Sequence, residues 1–556
     1  MIRHQRTPGS NARASGQLLR NCRLPLQPAW VFLLAIGLLL LIGREPVFAM
    51  RIVIARRSAY ASDTVRPSGA GVLNVRDFGA SASPSSTRAK TAVGSDSVQV
   101  AGIENFRVGQ AVALLHAGPP PSVSTPTGFV VQPMTYDRRG LVIQADCRID
   151  KGNAGCSSKW TWQLVAVDSK GGTSVPSSPV TIADGPATPS ATNRVRLYWT
   201  SEPEAAGYLV YGCSGAGCHP MLKAVLPNNL YTTVEACLTC PHSRYMVYWY
   251  MGHSFGTDEI LSTALPADAQ HQHLFTRIHA IGGNRVKLAD AAGVSSANVR
   301  LIHDDSPAFQ AAINRAKAHA NTPKINGGVI FIPPGQYLIV QTLDFYRSSN
   351  IHLYGEGGEG SVNMTQLVWH GTAGGTVFSL NQARDLLFEN FAVTDSDGGN
   401  GGSTPGVILD IDKYDAGQGI AFITTHDRFR NLSLQRSGIA VRIANRSDSN
   451  CEMMRFDDVI IDSPWNDQGG WYGYYIAGAW QTYDEQINGG AVGLRDVAIY
   501  LNAAGSVDTY AFDLDHNLID WYVNNVLGSQ IIETARTASL RRSISMSLSA
   551  PAQEVG

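Results

Sequence analysis

The sequence predicts an all-β protein whose C-terminal half is a solenoid of stacked strands, and three observations lead to this fold class. Charged residues make up only 16% of the 556 residues, against roughly 25% in ordinary soluble proteins. The 55 glycines and 27 prolines are more turn-forming residues than a helical protein accepts. A short pattern of an apolar residue, a polar residue and Asn or Asp recurs along the C-terminal half, as in proteins built from repeated coils.

Length and net charge restrict the organisation and the partners of the chain. At roughly 100–200 residues per domain, this length predicts about three to five structural units. The chain has 44 basic and 45 acidic residues, a net charge of -1, whereas a nucleic-acid-binding protein needs a positive excess or a basic face. We therefore expect a multi-part protein that does not bind nucleic acid.

Residues 1–49 are interpreted as a targeting segment. Several arginines precede an uncharged apolar run from Ala29 to Gly43, and the small residues that a signal peptidase reads follow at Val47-Phe48-Ala49. The run is shorter than the roughly 20 residues that span a bilayer, which favours a signal peptide cleaved after Ala49 over a signal-anchor. Both interpretations predict a secreted or cell-surface protein, with membrane attachment only if the segment stays uncleaved.

The elements at the start of the solenoid can be located in chain order. Residues 72–83 are predicted to hold its first strand, which ends in a turn. Apolar residues spaced i, i+3, i+4 predict a helix over residues 306–320, with Ser306 as its N-cap. Residues 329–332 and 337–340 are apolar runs on either side of a Pro-Pro-Gly turn, and we expect them to pair as neighbouring strands.

Four motifs in this order resemble the opening of a known superfamily. They are NVRDFGA at 74–80, DDSPAFQAAINRA at 304–316, GGVIFIPPGQYLI at 327–339 and NIHLYGEGGEG at 350–360. The resemblance is to the pectate-lyase-like superfamily, of the rhamnogalacturonase and epimerase type. It implies a right-handed parallel β-helix with an N-terminal capping helix, here over residues 304–530, and a carbohydrate-active protein with a polysaccharide substrate or ligand. In that family the first strand leads almost directly into the capping helix, so the stretch between them here is an insertion.

The insertion is predicted to contain two β units. Residues 84–128 and 268–303 carry short strands that we expect to form a small β module. Residues 129–267 form a β-sandwich-like region, whose alternating strands resemble those of fibronectin type III modules. Cysteines in this region fall in sequence-close pairs, which predicts local disulfides in an oxidising compartment. The alternative is a zinc ribbon formed by the pairs Cys213 with Cys218 and Cys237 with Cys240.

The repeated pattern assigns a structural role to several polar residues. A buried apolar residue, a bend that a short carboxamide can satisfy and an alternating strand together form one coil of a solenoid. Asp457 and Asp458 are similar to the paired aspartates of polygalacturonases, but Asp458 occupies the Asn slot of the repeat, so we interpret it as a turn residue. The units begin at Phe388, Phe429, Phe456, Leu494 and, more weakly, Val523.

Carboxylates and a histidine between residues 395 and 427 are the candidate catalytic groups. Asp410 and Asp412 alternate along one predicted strand, which places them on the same face and suits either an acid–base pair or a calcium site. The alternative is that these residues are solvated loop carboxylates. Calcium is the only cofactor indicated, and its ligands stay unassigned. The candidate catalytic residues are Asp395, Asp397, Asp410, Asp412 and His426.

Aromatic residues between 465 and 483 are the strongest indication of a ligand. Flat amphipathic rings beside polar residues are suited to gripping sugar rings in an open groove, and an arginine is suited to a uronate carboxylate. The alternative is that strand residues such as Tyr474 fill the interior of a coil. The candidate substrate-binding residues are Trp465, Asp467, Trp471, Tyr474, Trp480 and Arg442.

Two function classes stay open from the sequence. One is a polysaccharide lyase or glycoside hydrolase that acts in a groove along the β-helix, and the other is a non-catalytic glycan-binding or adhesion protein of the same fold. Residues 531–556 are predicted to form a disordered tail. Because no amphipathic segment covers the last coil, we expect its end to associate with another chain, or the chain to be a shortened relative of longer β-helix proteins.

Overall fold

The computed structural model describes residues 71–533 with internal gaps. The predicted targeting segment at 1–49 and the residues after 533 lie outside the described part, so the expectations for both stay predictions. Within the described ranges, no helix combines the length and the apolar character that crossing a membrane requires. The gaps are residues 83, 137–141, 145–154, 188, 190–192, 229–244, 251–264, 321–326, 358–363, 397–402, 413–423, 444–450, 463–471, 478–485, 489–490, 493–497, 503–521 and 525–529.

The chain begins a β-helix, leaves it for the insertion and returns. Strand β1 (Val72–Asn74) runs into a short 3-10 helix (Val75–Phe78), and β1 pairs in parallel with a strand more than 250 residues later. The strands of the insertion are β2 (Ser86–Thr91), β3 (Ser97–Val100), β4 (Ala111–Leu114), β5 (Val130–Tyr136), β6 (Val142–Gln144), β7 (Ser158–Asp168), β8 (Val180–Gly185), β9 (Asn193–Thr200), β10 (Ala205–Ser214), β11 (Met221–Pro227), β12 (Tyr245–Tyr250), β13 (Leu274–Gly282), β14 (Arg285–Leu288) and β15 (Ser296–His303).

The insertion folds as a closed barrel that carries a two-sheet unit. The barrel order is β13-β14-β3-β2-β15-β4, so strands from both ends of the insertion close it. The two sheets have the orders β11-β10-β7-β8 and β12-β9-β5-β6, with Trp162, Trp199 and Tyr208 fully buried in the cluster between them. A disulfide joins Cys213 to Cys218, so these two cysteines are not a thiolate pair of a zinc ribbon.

Asp168 holds the two chain crossings between the barrel and the two-sheet unit. Its buried carboxylate accepts hydrogen bonds from the Ser122 amide on the outgoing crossing and from Gln272 Nε2 on the returning one, at 2.9 and 2.8 Å. The amide of Gly172 donates a third bond, at 2.8 Å. Because one carboxylate joins three separate segments, the orientation of the unit on the barrel is restricted.

The β-helix follows the insertion and consists of parallel strands stacked in coils. One sheet has the order β1-β16-β19-β22-β25-β28-β31-β34, with a further branch through β17, β20, β29 and β32, and a second has the order β18-β21-β23-β26-β30-β33-β35. Parallel pairing throughout these sheets confirms the predicted all-β, parallel β-helix class. Its elements are α1 (Ser306–Ala320), β16 (Gly328–Ile332), β17 (Gly335–Ile339), β18 (Leu343–Asp344), β19 (Ile351–Gly355), β20 (Thr365–Trp369), β21 (Thr376–Ser379), β22 (Leu387–Asp395), β23 (Val407–Ile411), β24 (Thr424–Thr425), β25 (Arg428–Gln435), β26 (Ile439–Ile443), β27 (Cys451–Glu452), β28 (Arg455–Asp457), β29 (Ile460–Asp462), β30 (Tyr472–Ala477), β31 (Gln486–Asn488), β32 (Ala491–Val492), β33 (Ala498–Asn502), β34 (Tyr522–Asn524) and β35 (Gln530–Glu533).

Helix α1 covers the first coils, as expected of a cap. Its apolar residues Phe309, Ile313 and Ala316 are buried in the same core as the first coils. The helix starts at Ser306, so Ser306 is its first residue rather than its N-cap. The Ser306 hydroxyl instead accepts hydrogen bonds from the amides of Val340 and Gln341, at 2.8 and 3.0 Å, which ties the helix to the first coil.

The expectation that residues 329–332 and 337–340 pair with each other is wrong. Strand β16 pairs with β1 and β19, whereas β17 pairs with β20. The Pro-Pro-Gly segment is a corner between two faces of the β-helix, so each strand takes its partner from the next coil. A sequence turn between apolar runs does not distinguish such a corner from a hairpin.

The core of the β-helix is a stack of aromatic rings from successive coils. Phe388, Phe429 and Phe456 occupy one register position, and the rings of the last two stack with centroids 4.9 Å apart. In the register of the sheet, Phe456 is followed by Ile487 and then by Val523, where the last predicted unit begins. Leu494, where the predicted unit between them begins, lies outside the described residues.

The insertion packs directly on the β23–β26 face. A Cβ atom on Gly374 would lie 2.8 Å from the carbonyl oxygen of Leu226, and one on Gly438 would lie 2.5 Å from that of Val225. These glycines allow the backbones of strand β11 and the β-helix to touch. The insertion therefore covers this outward face of the coils.

Candidate functional site

The most concentrated functional groups lie on the outward face of the first sheet. Along each strand, side chains alternate between core and exterior, so the neighbours of the buried phenylalanine stack point outward. Successive strands bring these neighbours into one register row, separated by about 4.8 Å per strand. We call this row, with His352 beside it, the outer row; its members are Phe331, Tyr354, Glu389, Arg430 and Asp457.

Glu389 is the centre of the outer row. Its Oε2 atom accepts a hydrogen bond from Arg430 Nε at 2.9 Å and another from Arg430 Nη2, and its Oε1 atom lies 3.2 Å from His352 Nε2. Burial by itself raises the pKa of Glu389, but the hydrogen bonds and positive charges of His352 and Arg430 outweigh it, so the pKa lies below its ordinary value. The carboxylate is therefore ionised at neutral pH.

An aromatic pair lies at one end of the row. The rings of Phe331 and Tyr354 stack with centroids 5.5 Å apart and planes inclined by 28°, and the His352 ring lies 5.7 Å from Tyr354. Among the described residues, none pairs with the buried Tyr354 hydroxyl. A buried polar atom without a partner is costly.

Asp457 lies at the other end, beyond Arg430. It is half-buried and in register with Arg430 on one side and Asn488 on the other. Two strand spacings separate it from Glu389, about 10 Å between backbones. Inverting glycosidases separate their two carboxyl groups by roughly 6.5–9.5 Å and retaining ones by only about 5 Å, so the spacing is closer to the inverting arrangement.

The predicted catalytic residues lie on different faces of the coils. Asp395 ends β22 and is buried, with Oδ2 accepting a hydrogen bond from Thr404 Oγ1 at 2.9 Å and Oδ1 lying 3.8 Å from Arg436. Asp410 belongs to β23, where Arg442 holds its two carboxylate oxygens at 2.8 and 2.6 Å. Asp397 lies outside the described residues.

Asp410 and Arg442 face the insertion. Arg442 Nη1 donates a hydrogen bond to the carbonyl oxygen of Asn228, at 3.0 Å, and the guanidinium is buried. A bidentate arginine partner occupies the carboxylate that a metal ion or a substrate would use. Asp410 and Arg442 thus form part of the contact between the insertion and the β-helix. Their predicted roles in catalysis and substrate binding stay predictions.

Asp412 and His426 lie at corners of the coils. Asp412 follows β23 and is buried, and its carbonyl oxygen accepts a hydrogen bond from Thr424 Oγ1 at 2.5 Å. His426 is half-exposed in a left-handed conformation, with Nδ1 at 4.0 Å from Asp385 Oδ1. Within the described ranges, no group of three or more His, Cys, Asp or Glu side chains is arranged to hold a metal ion.

The predicted aromatic groove falls largely outside the described residues, which leave out Trp465, Asp467, Trp471 and Trp480. Tyr474 lies in β30, in register with Val441 and Ile499. Val441 belongs to the buried core of the β-helix, and Tyr475 is in register with Arg442. Substrate binding by these residues stays a prediction.

Sequence reasoning did not single out His352, Tyr354 or Glu389. The available signal was the polar slot of the repeat, which directly follows the buried phenylalanine in each unit. That slot holds Glu389, Arg430 and Asp457 in three successive units. Reading the slot down the coils would have predicted a charged row on one face.

Comparisons with known proteins agree with the resemblance found in the motifs. A family model described as rhamnogalacturonase A/epimerase, pectate lyase-like matches residues 301–383, which hold the end of the barrel, α1 and the first coils. The predicted resemblance to the pectate-lyase-like superfamily is confirmed for this stretch, and it supports a carbohydrate-active protein. No curated protein gives a significant match.

Two solved structures are similar over parts of the chain. One is ORF18 of Geobacillus virus E2, with 17% identity, a TM-score of 0.22, and coverage of 40% of this chain and 45% of the viral one. The other is the catalytic unit of the thermostable GH87 alpha-1,3-glucanase from Streptomyces thermodiastaticus strain HF3-3, with 12% identity, a TM-score of 0.22, and coverage of 78% of this chain. This chain spans 62% of the length of that glucanase unit.

Proposed function

We propose that this protein binds a polysaccharide along the outer row and hydrolyses it with Glu389 and Asp457. The observation that carries the proposal is the in-register row in which an aromatic pair is followed by Glu389, Arg430 and Asp457. A linear glycan laid along the β-helix axis would meet one of these groups on each coil.

Each group of the row has a chemical task. Glu389 is ionised, so we assign it the role of the base that activates a water molecule, and Asp457 the role of the acid that protonates the leaving oxygen. Arg430 separates the two carboxyl groups and donates to Glu389. The half-buried ring of Phe331, stacked on the buried Tyr354, provides an apolar surface against which a sugar ring packs.

The test is a product assay over a panel of neutral and acidic polysaccharides, measuring both new reducing ends and unsaturated products. We expect reducing ends without unsaturation, and a loss of turnover of about 100-fold or more in Glu389→Gln and in Asp457→Asn. Asp385→Asn, an exposed carboxylate on a neighbouring corner, is the matched control and keeps wild-type turnover. Unsaturated products, or full turnover in both outer-row variants, would refute hydrolysis by this pair.

Non-catalytic glycan binding is the second candidate function. It is favoured because both carboxylate oxygens of Glu389 already have partners, Arg430 and His352, and so are less available to a water molecule. In that case titration calorimetry would detect binding of a cognate glycan, no product would form, and Glu389→Gln would change affinity only.

We also propose that the protein acts outside the cytoplasm, on the basis of the arginine-rich leader and apolar run in residues 1–49. N-terminal sequencing of the protein exported by an expressing cell tests this. A mature chain that starts at Met50 supports cleavage after Ala49, and an intact leader in the cytoplasmic fraction contradicts export.

A further inference from the structure

A cavity of about 300 Å³ lies where the barrel meets the β-helix cap, and it shares no residue with the outer row. We propose that this cavity is a second binding site, for a single neutral sugar unit. The proposal goes beyond the hydrolysis assigned to the outer row and does not depend on it. The residues that line the cavity include Phe275, Thr276, Arg277, Asp290, Asp304 and Gln341.

Two acidic side chains of the cavity are held in place by neighbours. Asp290 Oδ2 accepts a hydrogen bond from Thr276 Oγ1 at 2.9 Å, and the Asp290 amide donates back to that hydroxyl at 3.1 Å. Asp304 is buried, with one oxygen bonded to the Ser306 amide at 2.9 Å and the other to Gln341 Nε2 at 2.8 Å. Side chains fixed in this way bind a ligand without a further loss of conformational freedom.

The same side chains keep hydrogen-bonding capacity for a ligand. Within the described part of the chain, no hydrogen bond engages Asp290 Oδ1 or Gln341 Oε1, and both can accept. Arg277 donates through Nη1 to the Gly109 carbonyl oxygen, at 3.0 Å, and retains further N–H donors. Acceptors beside donors match a hydroxyl group, which both donates and accepts.

Charge and size restrict the ligand class further. One guanidinium against two carboxyl groups gives no positive excess, so the cavity does not favour a uronate, a phosphate or another anion. Small-molecule sites usually enclose roughly 300–1,000 Å³, and this cavity is at the lower limit, which suits one sugar unit rather than an oligosaccharide. Phe275 is half-buried, and the exposed part of its ring can pack against the apolar face of the sugar.

The site joins the insertion to the β-helix. Phe275, Thr276, Arg277 and Asp290 come from the barrel, whereas Asp304 and Gln341 flank α1 and the first coil. A sugar unit bound here therefore contacts both parts at once. A chain end or a side branch of a polysaccharide supplies such a unit, as does a free monosaccharide.

The experiment uses the full chain and four probes: the methyl glycosides of glucose, galactose and rhamnose, and sodium glucuronate as the anionic comparison. Saturation-transfer NMR detects binding, and a titration of the same signals gives affinities. We expect at least one neutral glycoside to bind in the millimolar range, and Ala289→Trp, which places a large ring at the exposed edge of the cavity, to weaken that binding about tenfold or more. Asp290→Ala should weaken it as well.

Two controls separate this site from others. Asp96→Ala, an exposed carboxylate on the same barrel paired with Lys287, and Asp385→Asn, an exposed carboxylate on a corner of the β-helix, should both keep wild-type affinity. The proposal is overturned if no neutral glycoside binds the folded protein, if Ala289→Trp leaves the affinity unchanged, or if glucuronate binds more tightly than the neutral probes. Binding lost in Glu389→Gln but retained in Ala289→Trp would assign the sugar to the outer row and overturn it too.

Discussion

Two arginine–carboxylate pairs on neighbouring coils have the same chemistry and opposite surroundings. In the outer row, the Arg430 side chain is 57% exposed while its partner Glu389 is 7% exposed. On the β23–β26 face, the Arg442 side chain is 5% exposed and its partner Asp410 is 19% exposed. Both pairs join strands that are adjacent in the stack, so the coils themselves do not cause the difference.

The insertion causes it. Arg442 donates to the Asn228 carbonyl oxygen of the insertion, and Gly374 and Gly438 let strand β11 touch the coils on that face. The outer row has no such contact with the insertion among the described residues. What covers a charged pair on a β-helix thus decides whether the pair joins two parts of the protein or faces outward, and losing one partner of the covered pair should cost more stability.

The largest expected effect is on the covered pair. Arg442→Ala leaves the Asp410 carboxylate and the Asn228 carbonyl oxygen without their donor, and removing one partner of a buried pair costs about 3–5 kcal/mol. Arg430→Ala, the matched variant of the exposed pair, should cost about 1 kcal/mol or less. Urea unfolding followed by tryptophan fluorescence measures both, and equal losses of stability would erase the contrast between the two faces.

A buried carboxyl group without an arginine sharpens the comparison. Burial raises the pKa of Asp427 to about 8, although the Leu386 amide donates a hydrogen bond to it at 2.9 Å. The folded state therefore holds a proton that the unfolded state releases above its ordinary pKa near 4. The free energy of unfolding should fall as pH rises from about 4 to about 8, by on the order of 5 kcal/mol.

Asp427→Asn tests this pH dependence because a carboxamide does not ionise. The variant should gain stability relative to the wild type between about pH 4 and about pH 8, the window between the unfolded and folded pKa values of Asp427. Thermal melts across that range measure the difference, with Asp96→Asn, an exposed carboxylate of the barrel, as control. A wild-type-minus-variant difference that stays constant with pH would show that Asp427 is ionised in the folded protein.

A smaller effect is expected in glycan binding. If the outer row is the binding surface, Arg430→Ala should weaken the affinity for a cognate polysaccharide by about 1.5–3 kcal/mol, the value of a hydrogen bond to a charged group. Arg285→Ala, an exposed arginine of the barrel, should leave it unchanged. Titration calorimetry with both variants would contradict the assignment if the two affinities were equal.

The smallest effect concerns the turn that follows the outer row on each coil. Asn390, Asn431 and Asp458 adopt left-handed backbone conformations, with φ of 63°, 50° and 54°, and Asn431 Nδ2 donates to Asn390 Oδ1 at 2.7 Å. Asn431→Ala should cost about 1–2 kcal/mol, since alanine is strained at this φ and the hydrogen bond is lost. Asn431→Gly should cost about 1 kcal/mol or less, because glycine tolerates the conformation. If chemical unfolding ranks glycine as the more damaging, side-chain bonding rather than backbone conformation controls this turn.

Much of the β-helix could be predicted from local sequence pattern. Spacing and motifs located α1 and the strands around it, and the repeat placed Asp458 in the same left-handed slot as Asn390 and Asn431. The prediction was wrong where one pattern fits two structures. A Pro-Pro-Gly corner resembles a hairpin turn, so β16 and β17 were expected to pair with each other, whereas each pairs with a strand of the next coil.

The candidate site could be predicted only in part. The alternation around Phe388, Phe429 and Phe456 determines that Glu389, Arg430 and Asp457 point outward, because side chains on a strand alternate with period two. The same alternation places Asp410 and Arg442 outward on another face. From the sequence alone, the two sets are equally suited to binding.

The sequence by itself determined which residues form the core and which face outward, because both follow from contacts between neighbours along the chain. Only the tertiary structure decided which outward face stays open. That choice depends on Asn228 meeting Arg442 and on Leu226 meeting Gly374, contacts between residues that are distant in sequence. The packing of two separately folded surfaces sets such contacts, and no local periodicity encodes it.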